Sequence, residues 1–144
     1  MHVQRSIEIA APPAKVWPLL VEPDDVMRWY PTLRTFRYVE GTPGKGAHIY
    51  AEEQGAGLMK LDFVVTEWQT DRAIALHMTK GTGVAGYEQR WVLDPTPEGT
   101  RFTFSEDVEL PYGVLGRVIG RFVRRTSEGH VEEMLGKLKT LAEA

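Results

Sequence analysis

A chain of 144 residues, 42% hydrophobic and 26% charged, has the composition of an ordinary globular domain rather than a disordered or fibrous one. It has no cysteine, so disulfide staples and thiol nucleophiles are excluded, and no asparagine, so it carries no N-glycosylation sequon. A net charge of −3 argues against general nucleic-acid binding, and no apolar run approaches the ~20 residues needed to span a bilayer.

One domain over residues 1–144 is expected. A chain of this size buries roughly 70% of its unfolded surface, enough for a core and an internal cavity. The start MHVQRSIEIA lacks the charged-then-apolar run of a signal peptide, so a cytoplasmic address is the default expectation.

The stretch Val3 to Ala10 alternates as a strand, with Val3, Arg5, Ile7 and Ile9 on one face. Pro12 and Pro13 then mark a helix entry, and Val16, Trp17, Leu19 and Leu20 give that helix a broad apolar side. Pro18 lacks an amide donor and is expected to shorten or bend it. A second short helix carries Val26, Met27 and Trp29, with Asp24 or Asp25 as its expected N-cap and Pro31 as its stop.

From Leu33 to Leu110 the period changes to two, broken by turn signals at GTPGKG, QGAG, QTDR, GTG and DPTPEG. Six successive strands are predicted, making about seven with the first. Met59, Leu61, Phe63 and Val65 share a face, as do Ile74, Leu76 and Met78, and Tyr87, Gln89, Trp91 and Leu93. The opposite faces are polar, as in an antiparallel meander with one wet side. In the last strand Phe102, Phe104, Val108 and Leu110 point one way, and Glu106 stands in phase with them. A carboxylate facing an apolar layer must find a partner, take up a proton, or meet water in a hollow.

The remaining apolar layer has to come from the C-terminal stretch, whose spacing is helical over more than thirty residues. Leu115, Ile119, Phe122 and Thr126 form one run of the expected seam, and Val131, Met134, Leu138 and Leu141 resume it after a stride of five. At about 100° per residue the extra step turns the stripe around the helix. Either the helix bends near Gly129, or the segment from Thr126 to His130 faces something other than solid core. Arg117, Arg121, Arg124 and Arg125 gather opposite Leu115, Ile119 and Phe122, as a solvated face or as one that meets anionic lipid or an acidic partner.

Taken together, the strand, two short helices, meander and long final helix resemble the START-related helix-grip (SRPBCC) superfamily, in particular its bacterial polyketide cyclase/dehydrase-like members. The segments that carry the resemblance are IEIAAPPAKVWPLLVEPDDVMRWYP, VVTEW, EGTRFTF and the Gly-Val-Leu-Gly that opens the terminal helix. It implies an α+β helix-grip fold, with a curved antiparallel sheet wrapped on the C-terminal helix and an apolar ligand held between them.

On that footing Glu106 lies in or near the wall of the hollow, with Tyr87 and Gln89 on the same side of the neighbouring strand. The alternative puts Glu106 at the end of the sheet, solvated or paired with an arginine. Trp29, Phe63, Met78, Trp91, Phe104 and Thr126 complete the candidate ligand-binding set, the aromatic and methionine members being core residues first. The expected partner is a small hydrophobic or aromatic molecule. A cyclase, aromatase or dehydratase using the same hollow is the alternative, and an interaction module working through the basic helix face is the second. The resemblance transfers no catalytic residue, and whether the chain forms a homodimer is left open.

Other motifs fail on context. GTGVAG satisfies G-x-G-x-x-G, but the strand-like YEQRWVL follows where a dinucleotide site needs a helix N-terminus. GTPGKGA lacks the Ser or Thr of a phosphate loop. The four histidines are dispersed, no calcium-loop pattern occurs, and Ser6, Ser105 and Ser127 lie in no nucleophile elbow. No metal or cofactor is therefore expected, and no stable membrane insertion.

Overall fold

The protein's computed structural model describes residues 1–40, 42–111 and 113–144; the side chains of Val114 and Phe122 also lie outside the described residues. The elements follow in the order β1 (His2–Ile9), α1 (Pro13–Val21), α2 (Pro23–Trp29), β2 (Leu33–Glu40), β3 (His48–Gln54), β4 (Leu58–Gln69), β5 (Ala73–Gly81), β6 (Gly86–Thr96), β7 (Gly99–Glu109) and α3 (Gly113–Glu143). The seven strands form one antiparallel sheet in the order β1-β7-β6-β5-β4-β3-β2. This is the α+β helix-grip expected from the sequence. Among the described residues no helix is long and apolar enough to cross a membrane.

Local sequence explains most boundaries. Pro13 occupies the first turn of α1, where its missing N–H costs nothing. Pro18 lies inside α1, which ends three residues later, and the Glu22 N–H closes it on the Pro18 carbonyl at 3.0 Å. The expected aspartate cap of α2 is corrected. Glu22 is the N-cap residue, without a side-chain cap bond, because Pro23 already supplies the helical φ at the first position. Asp24 and Asp25 fall in the first turn, where their charge still favours the helix dipole.

The alternating strands place their apolar face inward. Ile49, Leu61, Val65, Ile74, Leu93, Phe102 and Phe104 are almost wholly buried. Pairing fixes which side chains are neighbours on that face: Gln89 stands opposite Glu106, Trp91 opposite Phe104, and Tyr87 opposite Val108. Register shifts in β4 at Asp62/Phe63 and Val65/Glu67 let the strand bend. The sheet curls strongly as a result. Three strand spacings separate β3 from β6, about 14 Å in a flat sheet, yet side chains of the two meet at hydrogen-bonding distance.

Among the described residues, α3 closes the open side mainly with its second half. Val131, Met134, Leu135, Leu138 and Ala142 are buried against the sheet and the short helices. The first half of the expected seam is corrected: Leu115 is 61% exposed, Ile119 is 40% exposed, and Thr126 is exposed as well. Phe122 lies outside the described residues. Here the buried position is Gly120, whose missing side chain would meet Leu110 Cδ1 at 3.5 Å. That close approach turns Arg117, Arg121 and Arg124 toward a groove of about 660 Å3 shared with Val108 and Leu110. The apolar stripe, Leu115, Val118 and Ile119, is left facing outward.

Candidate functional site

Five polar side chains converge inside the curl. Tyr30 follows α2, Glu53 ends the inward face of β3, Tyr87 and Gln89 are two apart on β6, and Glu106 is on β7. Each is less than a tenth exposed, and both glutamates are at 7%. Tyr87 Oη is the hub. It lies 3.1 and 3.2 Å from the two oxygens of Glu53, 3.0 Å from Glu106 Oε2 and 3.2 Å from Tyr30 Oη. Tyr30 donates to Glu53 Oε1 at 2.9 Å. Gln89 Nε2 donates to both phenol oxygens at 2.9 Å and lies 3.5 Å from Glu106 Oε2, and Gln89 Oε1 accepts from Trp91 Nε1 at 3.1 Å.

Burial decides the electrostatics of this cluster. Loss of hydration, reinforced by the charge of Glu53, pushes Glu106 up to about 7 against the opposing hydrogen bonds from Tyr87 and Gln89. Burial also raises Glu53, although both phenols donate to it. Tyr30 and Tyr87 are driven well above the ordinary phenol value by burial and then by Glu53, so both remain hydrogen-bond donors at any physiological pH.

Beside the cluster is a hollow of about 280 Å3 at one end of the grip. Its polar wall holds Tyr30, Glu53, Tyr87 and Glu106, with Thr32, Ser127 and His130 further along. Its apolar wall includes Met59, Val84, Val108, Leu110, Val131 and Met134. His130 Nε2 is 3.2 Å from Thr32 Oγ1, and burial holds its imidazole below the usual value, which favours the neutral ring. The stretch flagged by its broken seam thus contributes Ser127 and His130 to this wall, on a helix that runs unbroken from Gly113 to Glu143.

The candidate residues from the sequence are distributed as follows. Tyr87 and Glu106 line the hollow, and Gln89 braces both from behind. Phe63, Gln89 and Trp91 border a crevice of only about 10 Å3 on the other side of the cluster, room for about one water. Trp29 and Phe104 are fully enclosed in the core, where Trp29 packs edge-on to Trp91 at 5.2 Å and Trp91 stacks on Phe104 at 6.2 Å. Met78 borders an outer groove near His77 and Glu88. Thr126 stands in solvent on α3, away from the hollow.

The sequence reading missed Glu53, yet its signal matches that of Glu106. Ile49, Ala51 and Glu53 alternate on one face of β3, so a carboxylate stands where a hydrophobe is due. Tyr30, an aromatic expected beside Trp29 at the pocket entrance, instead turns its hydroxyl into the buried polar cluster. Among the described residues no group of three His, Asp or Glu side chains is placed to hold a metal ion.

A paired-carboxylate cluster at the end of an apolar hollow can do two kinds of chemistry. It can orient the polar end of a greasy molecule, or exchange a proton with it near neutral pH. A family model described as "Polyketide cyclase / dehydrase and lipid transport" matches residues 1–143. Among curated proteins none matches the chain. Solved structures similar in fold include TTHA0849 from Thermus thermophilus, 21% identical over 99% of this chain and 97% of that one, with a TM-score of 0.83. A START superfamily protein from Mycobacterium smegmatis is 18% identical over 97% and 98% of the two chains, with a TM-score of 0.77. The Zhui aromatase/cyclase from a Streptomyces species is 15% identical over 99% and 93%, with a TM-score of 0.82. At these identities the likeness is one of fold.

Proposed function

The chain belongs to the polyketide cyclase/dehydrase and lipid transport family of the START-like superfamily, and from that premise we propose that it binds one small apolar or aromatic molecule in the hollow beside α3. The observation that carries this reading is the hollow itself, about 280 Å3 with an apolar wall and a few converging polar groups. That volume is near the lower end of the roughly 300–1,000 Å3 usual for small-molecule sites. A ligand of one or two rings, or a short acyl chain, fits it better than an extended lipid.

The test is native mass spectrometry and thermal melting against a panel of polyphenols and short-chain lipids. Binding at 100-fold excess over Kd stabilises a fold by about 2.7 kcal/mol, a rise in Tm of several degrees for a domain this size. A protein that shows no adduct and no shift with any member of the panel rules the reading out.

A second reading, cyclisation or dehydration of a polyketone, is favoured by the position of Glu106 near pH 7 between acid and base. In that reaction the ionised Glu106 takes the acidic proton between two substrate carbonyls, and Tyr87 turns its one hydrogen from Glu53 to the resulting enolate oxygen. Glu106→Gln keeps the shape and removes the base. Turnover lost with affinity retained supports chemistry, whereas unchanged turnover on a confirmed substrate removes Glu106 from the mechanism.

A further inference from the structure

Hydrogen counting in the buried cluster leaves one oxygen over. Trp91 Nε1 can only donate, and its 3.1 Å contact with Gln89 Oε1 orients the amide so that Nε2 faces the phenols. The two amide hydrogens serve Tyr30 Oη and Tyr87 Oη. The Tyr30 hydrogen goes to Glu53. Tyr87 has a single hydrogen but carboxylate oxygens of two glutamates within 3.2 Å.

One hydrogen cannot bridge to both. A further proton on Glu106 Oε2, donated to Tyr87 Oη while Tyr87 donates to Glu53, gives both carboxylate contacts of Tyr87 a hydrogen and leaves without one only the two long contacts, Tyr30 Oη to Tyr87 Oη at 3.2 Å and Gln89 Nε2 to Glu106 Oε2 at 3.5 Å. Glu53, which receives two phenolic hydrogens, then carries the charge, and Glu106 is the neutral acid.

What remains is Glu106 Oε1. It takes no partner among the described residues, although the residue is only 7% exposed. Every fully enclosed side-chain nitrogen or oxygen among those residues does have a partner. Oε1 is therefore not sealed in the core, and the hollow is the space that Glu106 lines. In the satisfied arrangement it is a carbonyl oxygen, and ionisation of Glu106 would leave it an acceptor still. The lining contains no lysine or arginine, and the Met1 amino group at its edge is engaged by the Val108 carbonyl at 2.7 Å.

We propose that Glu106 Oε1 is the recognition point of the hollow, an acceptor that selects apolar molecules carrying a hydroxyl donor, such as phenols, while ionised Glu53 behind it turns away molecules carrying a carboxylate. The assignment rests on the ligand-binding reading above and deepens it. A hydroxyl donor completes the one acceptor that the buried cluster leaves unfilled, and a methyl group in its place leaves that oxygen unpaired. A carboxylate brings a second negative charge beside Glu53, with no lysine or arginine among the described lining residues to receive it and the Met1 ammonium already bonded to the Val108 carbonyl.

Three probes of one shape test this: 2-naphthol, 2-methylnaphthalene and 2-naphthoate, with Kd measured by ligand-observed NMR at pH 6.5. The expected order is naphthol at least tenfold tighter than methylnaphthalene, and naphthoate at least tenfold weaker than methylnaphthalene. Glu106→Gln, which presents an amide carbonyl to the hollow and an amide N–H to Tyr87, keeps the preference for naphthol. Glu106→Leu reduces it below threefold and leaves methylnaphthalene bound. Equal affinity of the folded wild type for naphthol and methylnaphthalene, or naphthoate binding as tightly as either, overturns the assignment and leaves an unselective apolar hollow. Failure of all three probes to bind overturns the hollow as a ligand site, and this assignment with it.

Discussion

Glu106 shows how a single residue couples stability to the site. Its carboxyl ionises near its ordinary 4.5 in the unfolded chain but holds its proton to about 7 when folded. The folded state therefore binds more protons between those values, and stability falls as pH rises through that window. Below pH 4.5 the residue costs nothing. Above pH 7 its ionisation costs on the order of 3 kcal/mol, at about 1.36 kcal/mol per pH unit. Glu106→Gln should accordingly match the wild type at pH 4 and exceed it by up to about 3 kcal/mol at pH 8, which urea unfolding at a series of pH values would read. A gap that does not widen with pH would mean that the carboxylate is hydrated. Gly99 shows the same dependence on surroundings: its φ of +150° and the Ile9 and Ala11 backbone beside it leave no room for a Cβ, and Thr100 bonds the Ala11 carbonyl at 2.7 Å. The Gly-Thr of EGTRFTF is thus the junction where β7 begins against the end of β1.

At the scale of one element, α3 is two helices in energetic terms. Its second half is held by apolar burial and by polar ties to β1: Arg5 pairs with Glu128 at 3.0 Å and Glu132 at 3.3 Å, and Lys139 bonds the Glu8 carbonyl at 2.8 Å. Its first half rests on Gly120 and exposes Leu115, Val118, Ile119 and Val123. Leu138→Ala should cost about 2–5 kcal/mol in chemical denaturation, since it opens a cavity at a fully buried site. Leu115→Gln should change stability by no more than about 0.5 kcal/mol. Comparable losses from the two would show the first half docked in solution. Periodicity predicted an apolar seam along both halves because spacing reports which residues share a helix face. It does not report whether that face meets the sheet.

The whole molecule acts through the curl of its sheet, which brings the Glu53 side chain of β3 to Tyr87 on β6 and so couples it to Glu106 on β7 through one phenol. The charge of Glu53 is the second cause of the raised Glu106 value, after burial. Glu53→Gln should therefore move the Glu106 midpoint below about 7, followed by carboxyl-carbon NMR; an unmoved midpoint would place the two carboxyls in separate environments. The elements, their order, the turns and the phase of Glu106 were legible in the sequence, because alternation, proline and glycine act over a few neighbouring residues. The anomaly at Glu53 was equally legible but went unread, and nothing local joins positions 53 and 106. Their meeting through Tyr87 follows from the curl of the sheet, in which β4 carries two register shifts, and that is a property of the assembled sheet. The sequence by itself thus determined a helix-grip chain with a carboxylate out of place on its last strand. Only the tertiary structure decided that this carboxylate shares a phenol with a second one, that their hollow lies at one end of the grip, and that half of the long helix leaves its apolar stripe uncovered, because long-range packing sets which faces meet.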